Sequence, residues 1–197
     1  MKLIIASNNA GKVREYKQLL AGAGFDEVLS LKEAGLVCDP EETGATFEEN
    51  AAIKARALHE LSGCAALADD SGLMVDALGG EPGVYSARWL GLGDDKAKNT
   101  EILRRLDGKT DEERSARFVC AIHFIYADGR EVTARGVCEG RIGYEPRGEN
   151  GFGYDPIFMY GDKSFAEIDG EMKNEVSHRG NALRELEKKL GANGGKP

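Results

Sequence analysis

The sequence predicts an α/β protein, a mixed β-sheet flanked by helices, and three observations predict it. Short apolar runs of buried-strand type alternate with segments of helical periodicity. The strongest strand candidate, 117–126, is apolar on both faces, as a central strand covered from both sides must be. Asp128-Gly129 follows it as a hairpin signal, so the sheet contains at least one antiparallel pair.

The chain opens on a buried-type strand at Lys2–Ala6, then the turn formers Ser7–Gly11. From Lys12 to about Ala21, Val13, Tyr16, Leu19 and Leu20 recur at helical spacing, and Gly22 and Gly24 stop that helix. Thr46-Phe-Glu-Glu49 has the form of a capping box and starts a helix to about Leu61, with Asn50, Lys54 and Leu58 on one side. Ala65–Ala68 reads as a short buried strand that delivers Asp69-Asp-Ser-Gly72 at its carboxyl end. Residues 79–93, rich in Gly and Pro, read as a long loop before a helix at 94–106. Glu131–Cys138 is the return strand of the hairpin, Pro156–Tyr160 a further strand, and His178–Leu190 an amphipathic helix with Leu183, Leu186 and Leu190 inward. By length, residues 1–190 read as one domain or as two small lobes sharing a core, and 191–197 as a flexible tail.

Composition narrows the function. Of 197 residues, 41% are hydrophobic and 30% charged, enough to bury a core. No apolar run is long enough to span a bilayer, and Leu3–Ala6 is too short for a secretory h-region. Lys and Arg number 26 against 34 Asp and Glu, a net charge of -8, which excludes the broad positive field that binds long nucleic acids. A small polyanion remains possible where cations gather locally. Cys38, Cys64, Cys120 and Cys138 show no metal-ligand spacing, so reduced thiols in the cytoplasm are expected.

Several clusters carry chemistry. Ser7-Asn8-Asn9-Ala10-Gly11-Lys12, between a strand and a helix start, offers free amides and one ammonium to a phosphate, without P-loop spacing. Asp69 and Asp70, adjacent at a strand end, would repel each other unless a cation or a shared proton intervened. With Glu41-Glu42 they could furnish oxygen ligands to Mg²⁺. Phe152-Gly153-Tyr154-Asp155 puts two aromatics and an acid in a glycine-rich loop, suited to stacking on a flat base. His178 and Arg179, at the start of the last helix, could donate to carbonyl or phosphate oxygens. His123 reads as a satisfied core residue, His59 has no evident partner, and Trp89 with Tyr85 reads as packing.

Taken in order, these segments resemble the inosine triphosphate pyrophosphatase family. The landmarks are Ser7–Lys12, Glu41–Gly44, Thr46–Asn50 with Lys54, Ala68–Leu73, Pro82–Arg88, Gly151–Phe158, and Lys173 with Ser177–Gly180. The resemblance implies an elongated two-lobed fold and a homodimer. It also implies Mg²⁺-dependent hydrolysis of ITP, dITP and XTP to the monophosphate and pyrophosphate. By position, Ser7, Asn9, Lys12 and Lys54 would hold the triphosphate with Ser71 nearby. Glu42 would bind the metal, Asp70 would serve both metal and water, and Phe152–Asp155, Lys173, His178 and Arg179 would form the base pocket. Two other readings use the same residues: a pyrophosphatase for modified pyrimidine or standard triphosphates, and a non-catalytic nucleotide-binding module.

Overall fold

The computed structural model describes residues 1–21 and 24–192; Gly22 and the tail from 193 lie outside the described residues. Among the described residues seven strands form one sheet: β1 (Lys2–Ile5), β2 (Glu27–Ser30), β3 (Ala65–Val75), β4 (Ser115–Ile125), β5 (Glu131–Ile142), β6 (Phe158–Tyr160) and β7 (Lys163–Ser164), in the order β2-β1-β3-β4-β5-β6-β7. β1 pairs in parallel with both β2 and β3, with Leu3 opposite Val28 and Ala65, while β5–β6 and β6–β7 are antiparallel. The sheet is mixed, as the sequence predicts. Among the described residues five α-helices accompany it: α1 (Ala10–Leu19), α2 (Phe47–Ser62), α3 (Asp95–Arg105), α4 (Gly170–Val176) and α5 (His178–Ala192). Among the described residues no helix is long and apolar enough to cross a membrane.

The chain divides into two compact units. The first comprises Met1–Asp70, Cys120–Gly136 and the chain from Arg179 onward; the second comprises Ser71–Val119 and Val137–His178.

In the first unit, strand alternation sorts the core into two faces. Leu3, Ile5, Ala65, Leu67, Cys120, Ile122 and Phe124 pack with Tyr16 of α1 and Ala182, Leu183, Leu186 and Leu190 of α5. Ile4, Ala66, Ala68 and Ile125 pack on the other side with Ala55 and Leu58 of α2. α2 starts where the capping box places it: Thr46 Oγ1 accepts the Glu49 amide at 3.2 Å. It ends at Gly63, whose φ of 62° is the left-handed cap that glycine adopts without strain.

The second unit has its own core, with Leu73, Val75, Trp89, Ile102, Phe118, Phe158 and Phe165. Trp89 is buried there, whereas Tyr85 is 58% exposed. α3 is capped by Asp94 and α4 by Asp169, each carboxylate accepting an amide of the first turn. The four cysteines are free thiols.

One expectation needs correction. Asp69–Gly72 is not a turn beyond a short strand: β3 runs through it to Val75. The strand continues because both acids find polar partners on the faces they meet, so neither has to turn out to water.

Candidate active site

In the first unit, the phosphate-loop candidate leads from β1 into α1. Asn9 caps the helix, its Oδ1 accepting the Lys12 amide at 3.0 Å, and Ser7 Oγ accepts the Asn9 amide at 3.2 Å. The Ala10 and Gly11 amides fall in the first turn, where helix geometry provides no acceptor and no acidic side chain competes for an anion. Ser7, Asn8 and Ala10 also line a cavity of about 740 Å³ together with Arg14, Lys17 and Lys32; Lys12, Asp69 and Asp70 do not line it.

Asp69 and Asp70 extend the two alternating rows of β3. Asp69 extends the row facing α1 and α5, where Lys12 Nζ lies 2.9 Å from its Oδ2 and Arg179 Nε 3.8 Å. Burial raises its carboxyl, but Lys12, Arg179 and Lys54 outweigh that and hold it far below the ordinary carboxylate range. Its other oxygen, Oδ1, is buried and accepts no hydrogen bond among the described residues. Tyr16 and Cys120 complete this pocket: the tyrosine hydroxyl lies 3.7 Å from Cys120 Sγ, which lies 3.8 Å from Asp69 Oδ2. Burial pushes the Cys120 thiol up to about 12 and Tyr16 well above its ordinary value, so both stay neutral.

Asp70 extends the row facing α2. Lys54 Nζ lies 3.3 Å from Asp70 Oδ1 and 2.7 Å from Glu42 Oε1, so one ammonium holds two carboxylates. Asn50, fully buried, ties the same parts together: its Oδ1 accepts the Gly44 amide at 2.8 Å and its Nδ2 reaches Asp70 Oδ2 at 3.3 Å. A Cβ on Gly44 would sit 2.6 Å from Glu49 Cβ, so only glycine lets the Glu41–Gly44 loop lie this close to α2. Burial lifts the Asp70 carboxyl, more than Lys54 and Lys12 lower it. Burial lowers Lys54, but Asp70, Asp69 and Glu42 more than restore its charge.

Among the described residues no three His, Cys, Asp or Glu gather into one group. A hard divalent cation that keeps waters and substrate phosphates needs only one or two carboxylates. Glu42 and Asp70, already converging on one positive charge, are such a pair. Glu41 is exposed, which separates it from Glu42.

In the second unit, Asp155 organises the base-loop candidate. Its Oδ2 accepts Lys173 Nζ at 2.6 Å and the Phe152 amide at 2.8 Å, and Lys173 Nζ lies 4.9 Å from the Phe152 ring centroid. A Cβ on Gly151 would fall 2.0 Å from Asp155 Oδ2, and its φ of 76° is left-handed, so glycine is required twice over. Tyr154 is committed to the core, its hydroxyl donating to the Ser86 carbonyl at 2.7 Å, which leaves Phe152 as the half-buried ring. His178 stacks on Phe118, with centroids 4.7 Å apart and planes at 15°.

The expected residues therefore fall into two groups. Ser7–Lys12, Glu42, Lys54, Asp70 and Arg179 belong to the first unit; Ser71, Phe152–Asp155, Lys173 and His178 belong to the second. His178 and Arg179 part because neighbouring residues on a helix do not share a face. Arg179 is 2% exposed and pairs with Glu15 of α1 as well as approaching Asp69. Sequence reasoning missed Glu15, Tyr16, Cys120 and the tie made by Asn50. Only Asn50 carried a signal, its i, i+4 spacing from Lys54.

The model of the Ham1 family matches residues 3–189 of this chain. The chain belongs to the Ham1 family. This Ham1 chain is 52% identical over 193 residues to a dITP/XTP pyrophosphatase of an Exiguobacterium species, covering 96% of this chain and 97% of that one. It is 49% identical over 192 residues to the dITP/XTP pyrophosphatase of Bacillus subtilis, covering 96% of each. Among solved structures, the Ham1 protein of Staphylococcus aureus superposes with a TM-score of 0.85 at 41% identity, covering 98% of this chain and 100% of that one. The family resemblance read from the sequence thus holds, and so does the mixed-sheet α/β fold.

Proposed function

We propose that this chain hydrolyses deaminated purine nucleoside triphosphates, dITP, ITP and XTP, to the nucleoside monophosphate and pyrophosphate. Relatives about half identical over nearly the whole chain carry the name dITP/XTP pyrophosphatase. The observation that carries the mechanism is the convergence of Glu42 and Asp70 on Lys54.

Phosphoryl-transfer catalysis is mostly positioning and charge neutralisation. The Ala10 and Gly11 amides, Lys12 and Lys54, with Ser7, Asn9 and Ser71, would hold the phosphates against a net charge of -8. Glu42 and Asp70 would hold Mg²⁺, which supplies further neutralisation of the phosphate oxygens when bound. Asp70, buried and raised, accepts a proton from water as the water oxygen attacks the α-phosphorus. The bond from that phosphorus to the bridging oxygen breaks, and pyrophosphate leaves with the electron pair. One water is consumed.

In the second unit, Phe152, Gly153, Asp155, Lys173 and His178 would recognise the base, on a loop that Tyr154 anchors in the core. Arg179 donates and cannot accept. A 6-keto oxygen satisfies such a donor; a 6-amino group leaves it unpaired, at about 1–3 kcal/mol per mismatch. The same reading makes the enzyme a cytoplasmic homodimer whose partner is a small nucleotide, not a long nucleic acid or a membrane.

Pyrophosphate release from ITP, XTP, ATP and GTP, each with Mg²⁺ and with chelator, tests it. Metal-dependent release from ITP and XTP above ATP and GTP is expected. Binding without release from any of them would overturn the catalytic reading.

A further inference from the structure

The Pro82–Arg88 segment and α3 take no part in the proposed chemistry, yet both reach the loop that would receive the base. Gly153 is gripped twice by α3. Its N–H donates to Asp95 Oδ2 at 3.0 Å, and its C=O accepts from Asn99 Nδ2 at 3.1 Å. Asp95 and Asn99 stand four residues apart, so one face of one helix holds both polar groups of a single residue. That residue has φ +63°, and a Cβ there would meet nothing within 4 Å, so the left-handed backbone rather than space calls for glycine.

The neighbouring Tyr154 is fixed from the same side. Lys98 Nζ lies 5.7 Å from its ring centroid, pairs with Asp95 at 2.9 Å and donates to the Ala87 carbonyl at 3.2 Å. The Tyr154 hydroxyl reaches Ser86. Residues 86–87 are thereby joined to α3 and the loop in one network inside the second unit.

We propose that Asp95 and Asn99 are positioning residues for base recognition: by clamping the Gly153 peptide they set the shape in which Phe152 and Asp155 meet the base. This rests on the reading of Phe152–Asp155 as the base loop. Asn99 itself separates positioning from packing. It is 5% exposed, and its Oδ1 accepts no hydrogen bond among the described residues. A buried acceptor without a donor lowers stability, and a leucine of similar size would relieve it. An amide kept here against that cost is explained by the donor it offers Gly153.

The test is steady-state pyrophosphate release from ITP, with melting temperature and inhibition by inorganic tripolyphosphate measured alongside. Asn99→Leu should keep or raise the melting temperature, raise KM for ITP about tenfold, as for one lost hydrogen bond, and leave kcat and the tripolyphosphate Ki unchanged. Asp95, half exposed, supplies a second variant: Asp95→Ala should raise KM in the same way, and Asp95→Asn, which keeps an acceptor, should restore it. An unchanged KM in both Asn99→Leu and Asp95→Ala overturns the proposal. So does a loss of ITP turnover matched by a lower melting temperature and a weaker tripolyphosphate Ki, which marks a structural role. If the unaltered protein releases no pyrophosphate from ITP, the base-loop reading falls first; if it does and the variants match it, only the clamp falls.

Discussion

Asp69 and Asp70 are consecutive in sequence but serve opposite faces of one strand. Asp69 meets Lys12 at 2.9 Å on the side of α1 and α5; Asp70 meets Lys54 at 3.3 Å on the side of α2. The first is held ionised by three cations, and the second is raised by burial. One is an anchor and the other is suited to receive a proton.

Substituting each should therefore fail differently. Asp70→Asn should fold normally, bind nucleotide, and lose about 10²–10⁴-fold in pyrophosphate release. Asp69→Asn breaks a buried ion pair and should cost about 3–5 kcal/mol of stability, seen by denaturant unfolding. Near-normal kcat in Asp70→Asn would remove it from the catalytic role.

Glu42 shares Lys54 with Asp70 but lies at the edge of the group, half-buried. Glu42→Gln keeps its size and removes one of the two carboxylates proposed to hold the metal. The Mg²⁺ concentration for half-maximal activity should rise at least several-fold while saturating activity recovers in part. An unshifted metal titration would take Glu42 out of the metal site.

How much of this was legible beforehand depends on what each residue had to signal. The strands β1 and β4 and the helices α1, α2, α3 and α5 announce themselves through apolar period and caps such as Thr46. β2 does not: it is a four-residue, half-exposed strand with little alternation to read. α4 has seven residues, too few for a periodic signal, and starts on a glycine. At the site, residue types and order were readable, but that Lys54 reaches both Glu42 and Asp70 was not. The opposite facing of Asp69 and Asp70 was not, because Asp-Asp-Ser-Gly suits a turn as well as a strand. Nor was the grouping of Arg179 with Glu15, a contact 164 residues apart in the chain.

Arg179 offers a selectivity test. Arg179→Lys keeps a charge beside Glu15 and Asp69 but loses the planar fork of donors. The preference for ITP over ATP, measured as a ratio of kcat/KM, should narrow by about tenfold. A constant ratio with uniformly weaker binding would assign Arg179 to the phosphates instead.

Acid stability should fall in two stages. His123 Nε2 lies 2.9 Å from Glu131, which also takes both arms of Arg56. Burial lowers the His123 pKa below 6.5 despite Glu131, so the unfolded chain binds the proton more readily and stability drops as pH falls through that value. Glu131, held to about 2 by Arg56 first, adds stability above its ordinary 4.5 that is lost only as pH falls towards 2. His123→Gln should flatten the melting temperature between about pH 7 and pH 5 relative to the unaltered protein and leave the lower stage in place. Parallel curves for the two proteins would exclude His123 as the source.

The first unit is assembled from three stretches of chain, and the last of them begins at Arg179. During synthesis, the loop that would bind phosphate and both aspartates leave the ribosome early, with β1, α1 and β3. Leu3, Ile5 and Tyr16 must wait for Ala182, Leu183 and Leu186 before their apolar face is covered. Arg179, the second cation against Asp69, arrives on that same final helix. Nascent chains arrested before α5 would thus carry most of the proposed catalytic groups on an uncovered core, a natural target for holding chaperones.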